Sequence, residues 1–175
     1  ARFVDDKLQD FLVDIFNENK KFFKENKCIL ELAGNGETFK NIKKKIKFYK
    51  LENQIFLKGN LREDKIIQWF KTLDIYIHIS KDETSSTSIL QAMSIGIPII
   101  ASNVGGNKML LKKEQNKKNI LLINNDKSKI FKSLKYLILN KKIRMQMSRF
   151  SRKIAIKNFS CSNMFDLYEK LFTKT

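Results

Sequence analysis

The segment from residue 75 to residue 106, IYIHISKDETSSTSILQAMSIGIPIIASNVGG, determines the architecture that we expect. It opens with an apolar run at Ile75–Ile79, and an amphipathic stretch follows from Ser86 to Ile95. A glycine ends the helical pattern, and a second apolar run begins at Ile97–Ala101. Two apolar strands joined by a helix are typical of a βαβ unit, in which the strands are parallel.

The same alternation extends outward to both ends of the chain. The other predicted strands are Cys28–Ala33, Ile55–Leu57 and Ile120–Ile123, and Ala1–Phe3 is interpreted as the end of one more. The predicted helices are Lys7–Glu25, Glu37–Tyr49, Glu63–Thr72, Ser86–Ile95, Asn107–Leu111, Lys127–Asn140, Lys141–Lys157 and Ser160–Thr173. This order predicts a single α/β domain over residues 1–175, with a Rossmann-like doubly wound parallel sheet of about six strands and helices on both faces.

The chain is strongly basic, with 35 Lys and Arg residues against 18 Asp and Glu residues and a net charge of +17. Nearly all of this positive charge is lysine, whereas proteins that read nucleic acids specifically rely on the arginine fork. The composition therefore argues against a nucleic-acid partner. It leaves two interpretations, a charge with no binding role or docking on an anionic membrane surface.

The sequence also bears on the compartment. No apolar stretch approaches the roughly 20 residues of a membrane span, and charges of both signs near Ala1 are unlike a secretory signal. Cys28 and Cys161 lie far apart without CxxC spacing, which favours free thiols in a reducing environment. We therefore expect a cytoplasmic protein, either free or peripheral at the inner membrane surface.

Polar residues and glycines follow the predicted strands at their carboxyl ends, which share one edge of a parallel sheet where ligands bind. Glu83 can accept hydrogen bonds from hydroxyl groups, and the first turn of the helix at Ser85–Ser88 offers backbone N–H groups to a phosphate. Gln91 lies two turns further along and can bind a diol. The same residues are also consistent with helix capping by the serines and a favourable helix dipole for Glu83.

Taken together, these residues resemble the C-terminal domain of retaining glycosyltransferases with the GT-B fold, specifically family 4. That family's signature is serine, two residues, glutamate, seven residues, glutamate, then alanine-methionine, glycine-x-proline and a Gly-Gly loop. The matching positions are Ser80, Glu83, Ala92, Met93, Gly96, Pro98, Gly105 and Gly106. Arg2 and Lys7 are similar to the family's arginine–lysine pair, and Asn60 with Leu61 to its loop beside the base. The likeness covers almost the whole chain.

The resemblance implies a role for each site residue. Glu83 would contact donor-sugar hydroxyls, while Arg2 and Lys7 would bind the diphosphate and offset the charge on the leaving group. The other implied contacts are the N–H groups of Ser85 and Ser86 with the sugar, those of Thr87 and Ser88 with the phosphate, Gln91 with the ribose, and Asn60, Leu61, Gly105 and Gly106 at the border of the donor. For Arg2 and Lys7, a solvated terminus and an ordinary first-turn lysine are the structural alternatives.

By the same resemblance, the full enzyme would bind a UDP-, GDP- or ADP-sugar between this domain and its own N-terminal domain. That second domain would hold the acceptor, an envelope or lipid-linked glycan, so this domain alone would bind donor without turning it over. No cofactor and no metal ion are implied, because the arginine and the lysine supply the positive charge. The competing hypotheses are a nucleotide-sugar epimerase-like domain and a non-catalytic basic module that binds a membrane or nucleic acid.

Three positions depart from the family pattern. Gln91 stands where the second glutamate is usual, which removes a charge-assisted hydrogen bond to the ribose. Residues 84–87, TSST, replace a glycine-phenylalanine-glycine-leucine stretch and predict a more polar sugar pocket. Lys108 reverses the charge of a usual glutamate. His78, which lies alone in an apolar strand, is interpreted as a structural residue with no metal set around it.

Overall fold

The computed structural model describes residues 1–114 and 117–173. Its strands are β1 Leu30–Ala33, β2 Ile55–Gly59, β3 Tyr76–His78, β4 Ile99–Ser102, β5 Lys113–Glu114, β6 Lys117–Lys118 and β7 Ile120–Ile123. Its helices are α1 Gln9–Glu18, α2 Lys20–Glu25, α3 Phe39–Phe48, α4 Glu63–Phe70, α5 Thr87–Ile95, α6 Asn107–Leu110, α7 Lys127–Leu139, α8 Lys141–Phe159 and α9 Cys161–Phe172, preceded by a 3-10 turn at Asp5–Lys7. The alternation confirms the predicted α/β, Rossmann-like class.

The prediction of one sheet of about six strands is wrong. Within the described residues, β1 pairs with β2 in a two-stranded parallel sheet, and β3, β4 and β7 form a three-stranded parallel sheet in the order β3-β4-β7. Ala1–Phe3 makes only two strand-like bonds, from Ala1 N to Ala33 O (2.8 Å) and from Phe3 N to Asn35 O (2.9 Å), and no ladder follows. The antiparallel pair β5-β6 was not predicted.

The long helix predicted over Lys7–Glu25 is divided at two points. Leu8 has a left-handed backbone (φ 48°), which separates the 3-10 turn containing Lys7 from α1. Asn19 ends α1, and its side-chain amide donates to the backbone oxygen of Ile15 over 2.9 Å. Asparagine side chains compete in this way for backbone groups, which weakens a continuous helix. The pattern of apolar residues is correct, but it does not reveal these breaks.

Helices cover both faces of the three-stranded sheet, as predicted. Ile99 and Ala101 of β4 belong to a buried cluster with Met93 of α5 and Ile154 of α8. Ile100, which points to the opposite face because strand side chains alternate, belongs to a second cluster with residues of α1 and α7. In residues 1–114 and 117–173, no helix has both the length and the apolar character needed to cross a membrane.

Candidate functional site

The centre of the site is the carboxylate of Glu83, which follows β3 on the loop leading to α5. Its Oε1 atom lies 2.5 Å from the ammonium Nζ of Lys7 and 2.5 Å from Nε2 of His78. The three side chains are well enclosed, with exposed fractions of 12% for Glu83, 17% for Lys7 and 6% for His78. One carboxylate oxygen therefore accepts from two nitrogen donors supplied by different parts of the chain.

The protonation states of this cluster follow from its contacts. Partial burial opposes ionisation of Glu83, but the hydrogen bonds and charges of Lys7 and His78 outweigh it and lower the pKa of the carboxyl below its ordinary value of 4.5. Burial lowers the pKa of His78 below 6.5, against the effect of Glu83. At neutral pH, Glu83 is charged and the imidazole is neutral.

The second nitrogen of His78 faces two hydroxyl groups. Tyr76 Oη lies 3.2 Å from His78 Nδ1, and Ser88 Oγ lies 3.5 Å from the same atom. A carboxylate only accepts, so Nε2 carries the imidazole proton and Nδ1 accepts from a hydroxyl. Burial raises the pKa of Tyr76 to about 12, and the phenol therefore keeps its proton as a donor.

The Gly-Gly turn after β4 supports the Glu83 loop from behind. The N–H of Gly106 donates to the backbone oxygen of Glu83 over 2.7 Å. A Cβ atom at Gly106 would lie 1.7 Å from the backbone oxygen of Thr84, and one at Gly105 would lie 1.9 Å from that of Glu83. Only glycine permits this approach of backbone to backbone. The turn therefore fixes the position of the Glu83 loop relative to the end of β4.

A ring of hydrogen bonds joins the carboxyl ends of the three strands. The N–H of Ser80 donates to Ser102 Oγ (2.9 Å), and Ser102 Oγ donates to Asn125 Oδ1 (2.5 Å). Asn125 Nδ2 then donates to the backbone oxygen of Ser80 (2.8 Å). Ser80 and Ser102 are fully buried, so the ring satisfies groups that water cannot reach.

The first turn of α5 lies next to this loop. Ser86 is the N-cap, and its Oγ accepts from the N–H of Ile89 over 3.3 Å and also lies 3.0 Å from Ser88 Oγ. The capping prediction for the serines is thereby confirmed for Ser86. The earliest N–H groups of a helix have no partner within it, and they carry the positive end of the helix dipole.

A cavity of about 800 Å³ lies between the facing edges of β1 and β3 and extends to their carboxyl ends. Its lining includes six residues that the sequence assigns to the site: Arg2, Lys7, Asn60, Leu61, Ser88 and Gln91. His78 and Trp69 line it as well. Arg2 is held through its backbone, since Gln9 Nε2 donates to Arg2 O over 2.8 Å. The two predicted cations thus share one cavity, and Lys7 joins it to Glu83.

The other predicted residues lie beside this cavity and do not line it. Ser85 and Thr87 are exposed on the loop and at the start of α5, and Ser86 is buried with its hydroxyl engaged. Gly105 and Gly106 contact the backbone of the Glu83 loop from below. Within the described residues, no group of three or more His, Cys, Asp or Glu side chains is placed to hold a metal ion.

Sequence reasoning missed two members of the site. His78 is buried, as expected of a structural residue, but it also contacts Glu83, which lies only five positions later. A polar residue at the last position of a buried strand, just before a loop carboxylate, was the available signal. Asn125 follows the last predicted strand and has the same kind of placement.

Comparison with known proteins identifies the family. The family model described as "Glycosyl transferases group 1" matches residues 1–154. The chain belongs to the group 1 glycosyltransferases.

Two curated relatives of this glycosyltransferase domain are similar in sequence. Protein CapJ of Staphylococcus aureus is 36% identical over 86 residues, which is 49% of this chain and 22% of CapJ. The uncharacterized glycosyltransferase MJ1069 of Methanocaldococcus jannaschii is 32% identical over 151 residues, 86% of this chain and 38% of that protein. The chain therefore spans well under half the length of either relative.

A solved structure shares the fold of this glycosyltransferase domain. Anabaena HepE in complex with UDP superposes with a TM-score of 0.84 at 20% identity, over 100% of this chain and 47% of the HepE chain. HepE has also been solved with UDP-glucose. At this level of identity the likeness establishes the GT-B-type Rossmann-like fold.

Proposed function

We propose that this domain is the C-terminal, donor-binding half of a family 4-like retaining glycosyltransferase and binds a nucleotide diphosphate sugar. The observation that carries the proposal is the Lys7–Glu83 ion pair at the carboxyl edge of the sheet, with Arg2 lining the adjoining cavity. A carboxylate paired with one cation, beside a helix N-terminus and a cavity that a second cation lines, suits a ligand that carries both hydroxyl groups and a diphosphate. The UDP and UDP-glucose complexes of HepE support this ligand class.

Each group would have a distinct task with the donor bound. An ammonium has three N–H donors, so Lys7 can hold Glu83 and still donate to a phosphate oxygen. Arg2 and the first turn of α5 would bind the remaining charge of the diphosphate, which grows as the sugar leaves. Glu83 Oε2 would accept from a sugar hydroxyl, and Asn60, Leu61 and Gln91 would border the nucleoside.

The experiment is a calorimetric titration of the chain with UDP, GDP and ADP and with their glucose conjugates. We expect one nucleotide class to bind, and Arg2→Ala and Lys7→Ala to abolish that binding. Lys40→Ala, on the exposed face of α3, is the matched control and should retain it. Binding to DNA or to anionic vesicles without any nucleotide affinity would refute the proposal in favour of a basic docking module.

The whole enzyme would transfer the sugar to an acceptor held by an N-terminal domain, so this half alone should not turn the donor over. Helix α9 offers a surface for that domain, because it has no buried residue and its Phe165, Leu167 and Leu171 are more than half exposed. Phe165→Ser with Leu171→Ser should leave the fold of this half unchanged and reduce the yield of active full-length enzyme.

A peripheral position at the inner membrane surface, on an envelope or lipid-linked acceptor, is a further part of the proposal. The span from Lys127 to Phe159 contains eleven Lys and Arg residues and no Asp or Glu. Exposed apolar side chains, Leu139, Met145 and Ile156, lie among these charges. Such a surface favours anionic lipid. Flotation with phosphatidylglycerol vesicles should show binding that falls as salt rises; no binding at low salt would contradict it.

A further inference from the structure

We propose that His78 is a positioning residue for Glu83: it holds one carboxylate oxygen so that the other oxygen points to the hydroxyl groups of the donor sugar. This inference rests on the proposed function, which gives Glu83 its ligand. It adds a residue that neither the sequence signature nor the cation pair includes. The observations that carry it are the geometry of three side chains and their enclosure.

The first observation is that His78 and Lys7 share a single acceptor. Both nitrogen atoms lie 2.5 Å from Glu83 Oε1. A carboxylate held through one oxygen by two donors from different directions cannot rotate about its terminal bond without losing both bonds. The second oxygen keeps its lone pairs for a ligand, since a carboxylate can accept about four hydrogen bonds in all.

The second observation is that His78 is itself held in place. Its side chain is 6% exposed, and its Nδ1 atom faces Tyr76 Oη at 3.2 Å and Ser88 Oγ at 3.5 Å. Ser88 belongs to the first turn of α5, and its hydroxyl lies 3.0 Å from that of the N-cap Ser86. The imidazole therefore connects the end of β3, the Glu83 loop and the start of the helix in one chain of hydrogen bonds.

The role of His78 differs from that of Lys7. Lys7 brings a charge that a phosphate can also use, whereas a neutral imidazole offers one directional N–H and no net charge. Loss of the imidazole should therefore affect recognition of the sugar and leave recognition of the diphosphate in place. A merely structural histidine would not separate the two, because loosening the core would weaken both.

The titratable and charged groups around the imidazole are Glu83 and Lys7 on one side, Tyr76 on the other, and the amino group of Ala1 at longer range. Protonation of Nδ1 would require Tyr76 and Ser88 to turn from donor to acceptor. The donor-sugar affinity should accordingly decline as pH falls through the folded-state pKa of His78, which burial holds below the ordinary value of 6.5.

The test compares His78→Leu, His78→Gln and wild type in titrations with the nucleotide alone and with its glucose conjugate, using the base that wild type prefers. We expect His78→Leu to weaken binding of the conjugate by about tenfold or more and binding of the free nucleotide by less than about twofold. His78→Gln should recover most of the loss, because its Nε2 also donates. An equal loss of affinity for both ligands, or no loss of affinity for the conjugate, would overturn the inference.

A second measurement does not depend on any variant at position 78. The chain has one histidine, so ¹⁵N-labelled histidine gives a single pair of ring signals. We expect the neutral Nε2–H tautomer at pH 7 and a large change of the Nε2 signal in Glu83→Gln. An Nδ1–H tautomer, or no response to Glu83→Gln, would overturn the inference even if His78→Leu failed to fold. Absence of nucleotide binding in wild type would instead refute the proposed function.

Discussion

The N–H of Gly106 donates to the backbone oxygen of Glu83 over 2.7 Å, which ties the turn after β4 directly to the residue that carries the carboxylate. The contact is possible because neither glycine of the turn has a side chain. A Cβ atom at Gly106 would overlap the backbone oxygen of Thr84 at 1.7 Å. The position of Glu83 therefore depends on a residue 23 places later in the chain.

Gly106→Ala should displace the Glu83 loop and lower the free energy of unfolding by about 3 kcal/mol, which is the upper end of the usual cost of an overpacked contact. Gly59→Ala is the control, since Gly59 has a left-handed backbone (φ 64°) but nothing within 4 Å of an added Cβ. It should cost only about 1–2 kcal/mol of backbone strain and leave donor affinity unchanged. Urea denaturation and donor titration of both variants provide the comparison, and equal effects on donor affinity would contradict it.

Lys7→Met should destabilise the fold at pH 7 by about 1–3 kcal/mol, because it leaves the Glu83 carboxylate with one donor fewer. Since the folded-state pKa of Glu83 is lowered, the stability from this pair is present above pH 4.5 and is lost as pH falls through the folded value. The difference between variant and wild type should therefore shrink in acid. Lys21→Met, which breaks an exposed pair with Glu25, should change stability by less than about 0.5 kcal/mol.

The lowered pKa of His78 predicts a second pH dependence of folding stability, at a higher pH than that of Glu83. Its pKa is lowered by burial, so the unfolded chain binds a proton that the folded chain excludes. Stability should fall as pH drops below 6.5, and His78→Gln should remove that part of the slope. Burial also lowers the pKa of the Ala1 amino group, so the imidazole is assigned only the part of the slope that disappears in His78→Gln. An unchanged slope in the variant would show that the imidazole is not buried as described.

Ser102→Ala should lower the free energy of unfolding by about 1–3 kcal/mol, because it leaves the buried N–H of Ser80 and the amide of Asn125 without their partner. Ser94→Ala, which removes an exposed hydroxyl on α5, is the control and should stay within about 0.5 kcal/mol of wild type. Thermal unfolding followed by circular dichroism distinguishes the two. Equal losses would mean that the ring of hydrogen bonds contributes little.

Trp69 should report donor binding without a label. It is the one tryptophan of the chain, it lines the cavity together with Asn60 and Leu61, and its Nε1 donates to Glu31 over 2.6 Å. A nucleoside entering that cavity should change the emission, and the change should saturate at the affinity that calorimetry gives. A calorimetric signal without any change in emission would place the nucleoside away from Asn60 and Leu61.

Much of the architecture could be predicted from the sequence because apolar periodicity reflects burial directly. The run at Ile97–Ala101 has no polar residue, and its strand is buried on both faces. The breaks at Leu8 and Asn19 could not be predicted, because they depend on one backbone angle and one side-chain hydrogen bond. The split of the sheet into two also depends on pairing between distant segments, which local patterns do not encode.

The site was predictable where a residue type within a motif indicates its chemistry, and it was not predictable where a contact depends on the path of a loop or on the order of the strands. The motif singled out Glu83 and Lys7, and the structure places the two in contact. The bond between His78 and Glu83 depends on the path of the loop after β3, so from the sequence His78 is only an isolated histidine in an apolar strand. Asn125 likewise becomes informative only when β7 is placed beside β4.

The apolar side chains of α9 have a practical consequence for every stability measurement suggested above. Phe165 and Leu171 are 67% and 69% exposed in the folded chain. Dyes that fluoresce on apolar surfaces should therefore bind before unfolding begins, which would raise the starting signal of a dye-based melting curve and hide the transition. Calorimetry and circular dichroism avoid this error, and a low protein concentration limits self-association through the same helix.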